Sequence, residues 1–131
     1  MSTEHQVLTA AADLVAAFAG HDRDAYFASF APAATFLFHS ADSLLGSRAD
    51  YEREWDGWVA SGFKVLGCVS SEQRVDLLGE DVAVFTHRVH THIRDGDGEH
   101  RLAERETIVM RRQPGGRWLG VHEHLSVDPR A

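Results

Sequence analysis

The chain has little of what would cross-link a small protein or hold it in a membrane. Among its 131 residues there is one cysteine, Cys68, so no internal disulfide can form. A chain of this length buries roughly two-thirds of its unfolded surface, enough for a core without a structural metal. The apolar neighbours of Cys68 read as a buried strand rather than a reactive site. Long apolar runs are also lacking. The longest, Leu14 to Ala19, is too short to span a bilayer, and the polar start MSTEHQ lacks the basic-then-apolar layout of a secretory leader. Positive charge is the minority: 13 Lys and Arg against 20 Asp and Glu leave a net charge of −7, which argues against nucleic acid or anionic lipid as a partner. No internal repeat, low-complexity tract or linker interrupts the chain. The expectation is one cytoplasmic domain over residues 1–131, with neither nucleic acid nor a membrane as a partner.

What is present falls into helices first and strands after. Thr3 with Gln6 can form a capping box, followed by Val7, Ala11, Leu14, Val15 and Phe18 at helical spacing and a stop at Gly20. Asp22 can cap a short second helix with Tyr26, Phe27 and Phe30 on its apolar face, ended by Pro32. The run ATFLFH, residues 34–39, has the composition of a strand. Ser47 opens a third helix with Tyr51, Trp55, Trp58 and Val59 on one face and Gly62 past its end. Strands over 63–78, 82–94, 99–112 and 117–127 follow, separated by the turn signals GED, DGDG and PGG. Helices followed by long strands define an α+β domain: three N-terminal helices packed on one face of a strongly curved, mainly antiparallel sheet.

Alternation sorts the last strands into two faces. One face carries Phe85, His87 and Val89, then Glu104, Glu106 and Ile108, then Val121, Glu123 and Leu125. The other gathers Arg88, His90, His92, Arg105, His122 and His124. If Asp95 pairs with Gly98, His87 falls opposite Glu106; if Arg112 pairs with Arg117, Glu106 falls opposite Glu123, placing the three in one row. Ionisable groups within an aliphatic surface must be paired or shifted in pKa, and those are also the conditions of an acid–base site; the alternative is a self-satisfied or solvated set. The two H-x-H pairs on the second face would suit a metal, but Arg105 between them is a poor neighbour for a cation, so no metal is assigned and a polar homodimer interface is the better reading.

The element order, together with LGEDVAVFTHRVHTHIRDGDG, ERETIVMRR and GRWLGVHEHLS, resembles the nuclear transport factor 2-like superfamily: the ketosteroid isomerases, SnoaL-like cyclases and scytalone dehydratase. The same strands resemble the association domain of calcium/calmodulin-dependent protein kinase II. The resemblance implies a cone-shaped fold whose sheet wraps a pocket, a homodimer through the outer sheet face, and chemistry without a cofactor. Where that association domain carries pocket arginines, this chain has Val89, Ile108 and Leu125, which does not suit an anionic ligand. The Tyr and Asp pattern of ketosteroid isomerase is not matched, since Tyr26 lies on the second helix and the first strand supplies His39 and no Asp.

The resulting reading is a dimer that binds a small, largely apolar molecule between Phe85, Val89, Ile108, Val121 and Leu125 of the sheet and Tyr26, Phe30, Trp55 and Trp58 of the helical layer. His87, Glu106 and Glu123 are the candidate catalytic groups for isomerisation, dehydration or cyclisation of a hydrophobic carbonyl compound. Tyr26 and His39 are candidates for polarising an oxygen. The competing reading is a binding or association module that uses the same pocket without turnover.

Overall fold

A computed structural model describes residues 1–130. The helix α1 (Thr3–Ala19) starts one residue before the expected cap: Ser2 adopts the extended conformation and its hydroxyl accepts from the His5 N–H. Val7, Ala11 and Leu14 form its buried stripe. A left-handed turn at His21 leads into α2 (Arg23–Ala28), capped by Asp22, whose carboxylate accepts from the Ala25 N–H. The helix α3 (Arg48–Ala60) is capped by Ser47 and buries Tyr51 and Trp55; Val59, expected on the same face, is 41% exposed. Arg23 grips both oxygens of Asp56, at 2.7 and 2.9 Å, and ties α2 to α3.

Five strands form one curved sheet: β1 (Phe30–Phe38), β2 (Lys64–Leu77), β3 (Val82–Asp95), β4 (Gly98–Arg112) and β5 (Trp118–Val127), in the order β1-β5-β4-β3-β2. Only the β1–β5 pair is parallel. The first strand begins four residues earlier than the sequence suggests, so Phe30 opens β1 rather than closing α2. Pro32 lies in the strand, not before it. Its missing N–H is tolerated because the β1–β5 ladder is interrupted between Phe30 and Thr35. The helices cover one face, with α1 chiefly on β2 and α3 on β1. Among the described residues, no helix is long and apolar enough to cross a membrane.

The β3–β4 register is the expected one, with Asp95 opposite Gly98 and His87 opposite Glu106. The β4–β5 register is not. Arg112 pairs with Trp118 instead of Arg117, and Val121 is a bulge residue, so Ile108 faces Glu123 and Glu106 faces Leu125. One residue of slip comes from the longer turn and one from the bulge. Together they move Glu123 by two positions, which keeps it on the inner face but out of the row with Glu106. Before the bulge the parity is reversed: Trp118 and Gly120 are buried, while Leu119 and Val121, expected inside with Glu123, are only half-buried.

Gly120 is required by this crossing. A Cβ there would lie 2.7 and 2.9 Å from the Phe30 ring, which is itself wholly buried. Gly120→Ala therefore forces either the ring or the bulge to move, and the expected cost is about 1–3 kcal/mol. Urea denaturation should show a lower midpoint with an unchanged slope; an unchanged midpoint would mean that Phe30 yields freely.

Candidate acid–base site

A cavity of about 600 Å³ opens between the sheet and the helices. Its helical wall is aromatic, built by Phe18, Tyr26, Tyr51, Trp55 and Trp58, with Phe63 beyond α3. These rings contact one another edge-on or tilted, with Tyr26–Trp55 centroids 5.5 Å apart and Tyr51–Trp58 centroids 6.1 Å apart. The stripe on α3 and the short α2 produce this wall, because each projects its aromatics toward the sheet. The turn between α1 and α2 is anchored to the sheet: His21 stacks on Trp55 at 5.2 Å, and its Nδ1 accepts from the Val65 N–H. The sheet wall carries Val89, Thr91, Ile93 and Leu125, together with Cys68, Glu104, Glu106 and Glu123.

The sequence-derived pocket residues divide into two groups. Tyr26, Trp55, Trp58, Val89 and Leu125 line the cavity. Phe30, Phe85 and Ile108 are buried core residues that do not line it. Val121 stays off the wall because the bulge turns it away. His39 follows the end of β1 and does not line the cavity, but its Nε2 is 2.5 Å from Glu104 Oε2. Tyr51, Glu104, Cys68 and Ser70 were not assigned to the site from the sequence. Tyr51 had a signal, since it shares the i, i+4, i+7 stripe with Trp55 and Trp58. Ser70 had none.

The three candidate catalytic groups are brought together. His87 Nε2 lies 2.6 Å from Glu106 Oε1, and Glu106 and Glu123 are neighbours on the cavity wall. His87 and Glu123 are buried, while Glu106 reaches the cavity. Burial pushes the Glu123 carboxyl well above the usual carboxylate range; the neighbouring charge of Glu106 and the hydrogen bond to it add to this, and the Tyr26 hydroxyl, 3.5 Å away, opposes it. Glu104 is also raised by burial, against the opposing effect of His39. Tyr26 and Tyr51, with hydroxyls 3.0 Å apart, are driven well above the ordinary phenol value, chiefly by burial, so they remain protonated. Burial pushes the Cys68 thiol up to about 11, which leaves it a poor nucleophile. Among the described residues, no Lys or Arg side chain lines the cavity.

The second face is more exposed and partly self-paired. Arg88 bridges Asp128 at 2.5 Å and Glu72 at 3.1 Å, His92 lies 3.3 Å from Glu99, and His122 Nδ1 is 2.8 Å from the Thr35 hydroxyl. His90, Arg105 and His124 are exposed. Arg105 pairs with Ser126 and separates the two histidine pairs, as the sequence suggests. Among the described residues, no three His, Cys, Asp or Glu side chains are placed to hold a metal ion.

Three helices laid on one curved, open sheet, with carboxyl groups on its concave side, define an α+β cone fold. The SnoaL-like domain family model matches residues 7–129, and the chain belongs to that family. Three solved structures share the fold. A nuclear transport factor 2-like protein from Rhodospirillum rubrum has a TM-score of 0.80 at 22% identity, covering 93% of this chain and 98% of that one. A ketosteroid isomerase-like protein from Erwinia carotovora has a TM-score of 0.80 at 14% identity, covering 96% and 97%. A protein from Xanthomonas campestris assigned to the calcium/calmodulin-dependent protein kinase II association domain has a TM-score of 0.78 at 22% identity, covering 96% and 88%. At these identities the likeness is one of fold. No curated protein sequence matches the chain.

Because the folded pKa of Glu123 is raised, the folded state holds this proton more tightly than the unfolded chain. The associated stability is full below the unfolded glutamate value of about 4.3 and is lost as pH rises through the folded value. Glu123→Gln keeps a neutral group there. Melting curves of the two proteins should therefore diverge with rising pH in favour of the variant, at up to about 1.4 kcal/mol per pH unit inside that window. Parallel curves would show that Glu123 is not held protonated. Carboxyl NMR on Glu106→Gln provides a second check: removing the like charge and its hydrogen bond should lower the Glu123 pKa.

Proposed function

We propose that this SnoaL-like protein binds a small, largely apolar molecule in the aromatic-walled cavity and catalyses cofactor-free proton transfer on it. The observation that carries the reading is the Glu106–Glu123 pair, in which the buried carboxyl lies beside a second one at the cavity wall and burial pushes its pKa well above the usual carboxylate range. A protonated acid next to a hydrogen-bond acceptor can serve a carbonyl compound in one step. One carboxylate takes a proton from the carbon next to the carbonyl; the C–H electrons form a C=C bond; the carbonyl π electrons take the proton of the other carboxyl. Returning the proton to a different carbon gives isomerisation, and attack of the enol carbon on an internal carbonyl gives cyclisation. Loss of a β-hydroxyl as water gives dehydration.

The protonated Tyr26 and Tyr51 hydroxyls supply neutral donors at the same end of the cavity. The absence of Lys and Arg from the wall disfavours an anionic ligand, in keeping with Val89 and Leu125 at positions where the kinase association domain has arginines. His39, through Glu104, sits beside this machinery rather than within it. The reading also includes a homodimer through the face that carries Arg88, His90, His92, Arg105, His122 and His124, with Val69, opposite His90 and 66% exposed, as an apolar part of the sheet left uncovered by the helices.

Thermal shift with a panel of hydrophobic ketones and enones tests the ligand class, because binding to the folded state raises the melting temperature by mass action. Stabilising compounds should then be consumed, and Glu106→Gln and Glu123→Gln should each lower kcat by about 10²–10⁴ with the fold retained. Stabilisation without turnover would favour the binding module. For assembly, light scattering at micromolar concentration should return about twice the 14.5 kDa chain mass; a monomer would refute the dimer.

A further inference from the structure

His87 lies opposite a break in the β2–β3 ladder. Ser71 pairs with Arg88 and Arg74 with Thr86, so Glu72 and Gln73 of β2 together face the single residue His87. Glu72 has a left-handed backbone, φ 52°, an unfavourable conformation for a residue with a side chain. Arg88 and Arg130 both pair with its carboxylate and hold the bulge from the outer side. On the inner side, the bulge folds Gln73 back over Ser70.

The polarity of the resulting hydrogen-bond chain is set at one end. The Gln73 side-chain nitrogen lies 3.3 Å from the Ser70 carbonyl oxygen, which can only accept, so the amide presents its NH₂ group to Ser70. The same nitrogen donates to Ser70 Oγ at 3.0 Å. Ser70 Oγ has one further partner among the described residues, His87 Nδ1 at 2.6 Å. If Nδ1 carried a proton, the Ser70 hydroxyl hydrogen would have no acceptor among the described residues. The hydroxyl therefore donates to Nδ1, the ring proton resides on Nε2, and Nε2–H donates to Glu106 Oε1 at 2.6 Å. Glu106 thus accepts from His87, while Glu123, its neighbour on the cavity wall, has no contact with the imidazole among the hydrogen bonds of the described residues.

We infer that Ser70 and Gln73 are positioning residues that fix the Nε2–H tautomer of His87 and thereby assign the two acids their parts, with Glu106 the proton acceptor and Glu123 the proton donor. This rests on the acid–base reading of the cavity and extends it, since the oriented imidazole adds a donor to Glu106 beyond the difference in burial between the two acids. That orientation comes from a bulge on β2 whose Gln73 is exposed. Neither Ser70 nor Gln73 touches the reacting atoms.

Imidazole ¹⁵N–¹H correlation spectra at neutral pH read the tautomer directly, with His87 assigned by loss of its signals in His87→Gln. The wild-type ring should show a protonated Nε2 and an unprotonated Nδ1. Ser70→Ala should move the proton toward a mixture of the two nitrogens, Gln73→Ala should do so to a smaller extent, and Ser70→Thr should restore the wild-type pattern. Where a substrate is in hand, Ser70→Ala should lower kcat with KM little changed. A wild-type ring protonated on Nδ1, or a pattern unmoved by Ser70→Ala, overturns the inference. Should Ser70→Ala fail to fold, the wild-type spectrum and the exposed Gln73→Ala variant still decide it. The readout needs no ligand, so the expected tautomer with no compound bound or turned over would count against the proposed function alone.

Discussion

The interaction on which the site depends is the desolvation of Glu123. A carboxylate moved from water into a wall of Tyr26, Tyr51 and Trp55 would cost several kcal/mol in its ionised form, so burial pushes this carboxyl well above the usual carboxylate range. The condition propagates through its surroundings. Tyr26 and Tyr51 are also buried and stay protonated, which keeps their hydroxyls as donors to an oxygen rather than as further negative charge. Glu106, nearer the open cavity, can then accept where Glu123 donates. The acidic cluster is compatible with an apolar interior because each member has a partner: His39 for Glu104, His87 for Glu106, and Tyr26 for Glu123. Among the described residues, no buried side-chain polar atom lacks a hydrogen-bond partner.

Two bulges do much to place these groups. The one at Val121 lets Trp118 and Gly120 face inward at the start of β5 and Glu123 and Leu125 face inward at its end, which a regular strand could not do because their parities differ. Gly120 then lies against Phe30, where β1 joins the sheet in parallel. The bulge at Glu72 and Gln73 serves the opposite edge, giving His87 the donor that fixes its ring. Both are paired with conformational specialisation, a glycine without a Cβ in the first case and a left-handed residue held by two arginines in the second. Local irregularity next to polar chemistry is thus concentrated on the two strands that flank the central β3–β4 pair.

The element order and the β3–β4 register were legible because periodicity and the DGDG turn are local signals. That the inner face of β3 and β4 holds His87 and Glu106 follows from the same alternation. The β4–β5 register was not legible. It depends on one additional turn residue and on a bulge that Val121 does not announce, and the slip of two preserved the face of Glu123 only because its two halves sum to an even number. The extension of β1 back to Phe30 was hidden for a related reason. Pro32 reads as a helix terminator, and only the interrupted pairing with β5 shows how a strand accommodates it. Residues such as Phe85 and Ile108 were assigned to the pocket from their face alone, although a face divides into floor and core according to how far the helices reach across the sheet.

The distribution of donors and acceptors also bears on the direction of the proposed proton transfer. A symmetric pair of carboxyl groups sharing a proton has no fixed direction of transfer; one that borders an oriented imidazole does. The orientation of His87 derives from Ser70, that of Ser70 from Gln73, and that of Gln73 from a backbone carbonyl, the one group in the series whose role cannot invert. The main chain of an edge strand thus reinforces a direction that the deeper burial of Glu123 already favours. The apolar remainder of the wall contributes by keeping the local dielectric low, so that a difference of one hydrogen bond between the two acids is enough to separate their roles.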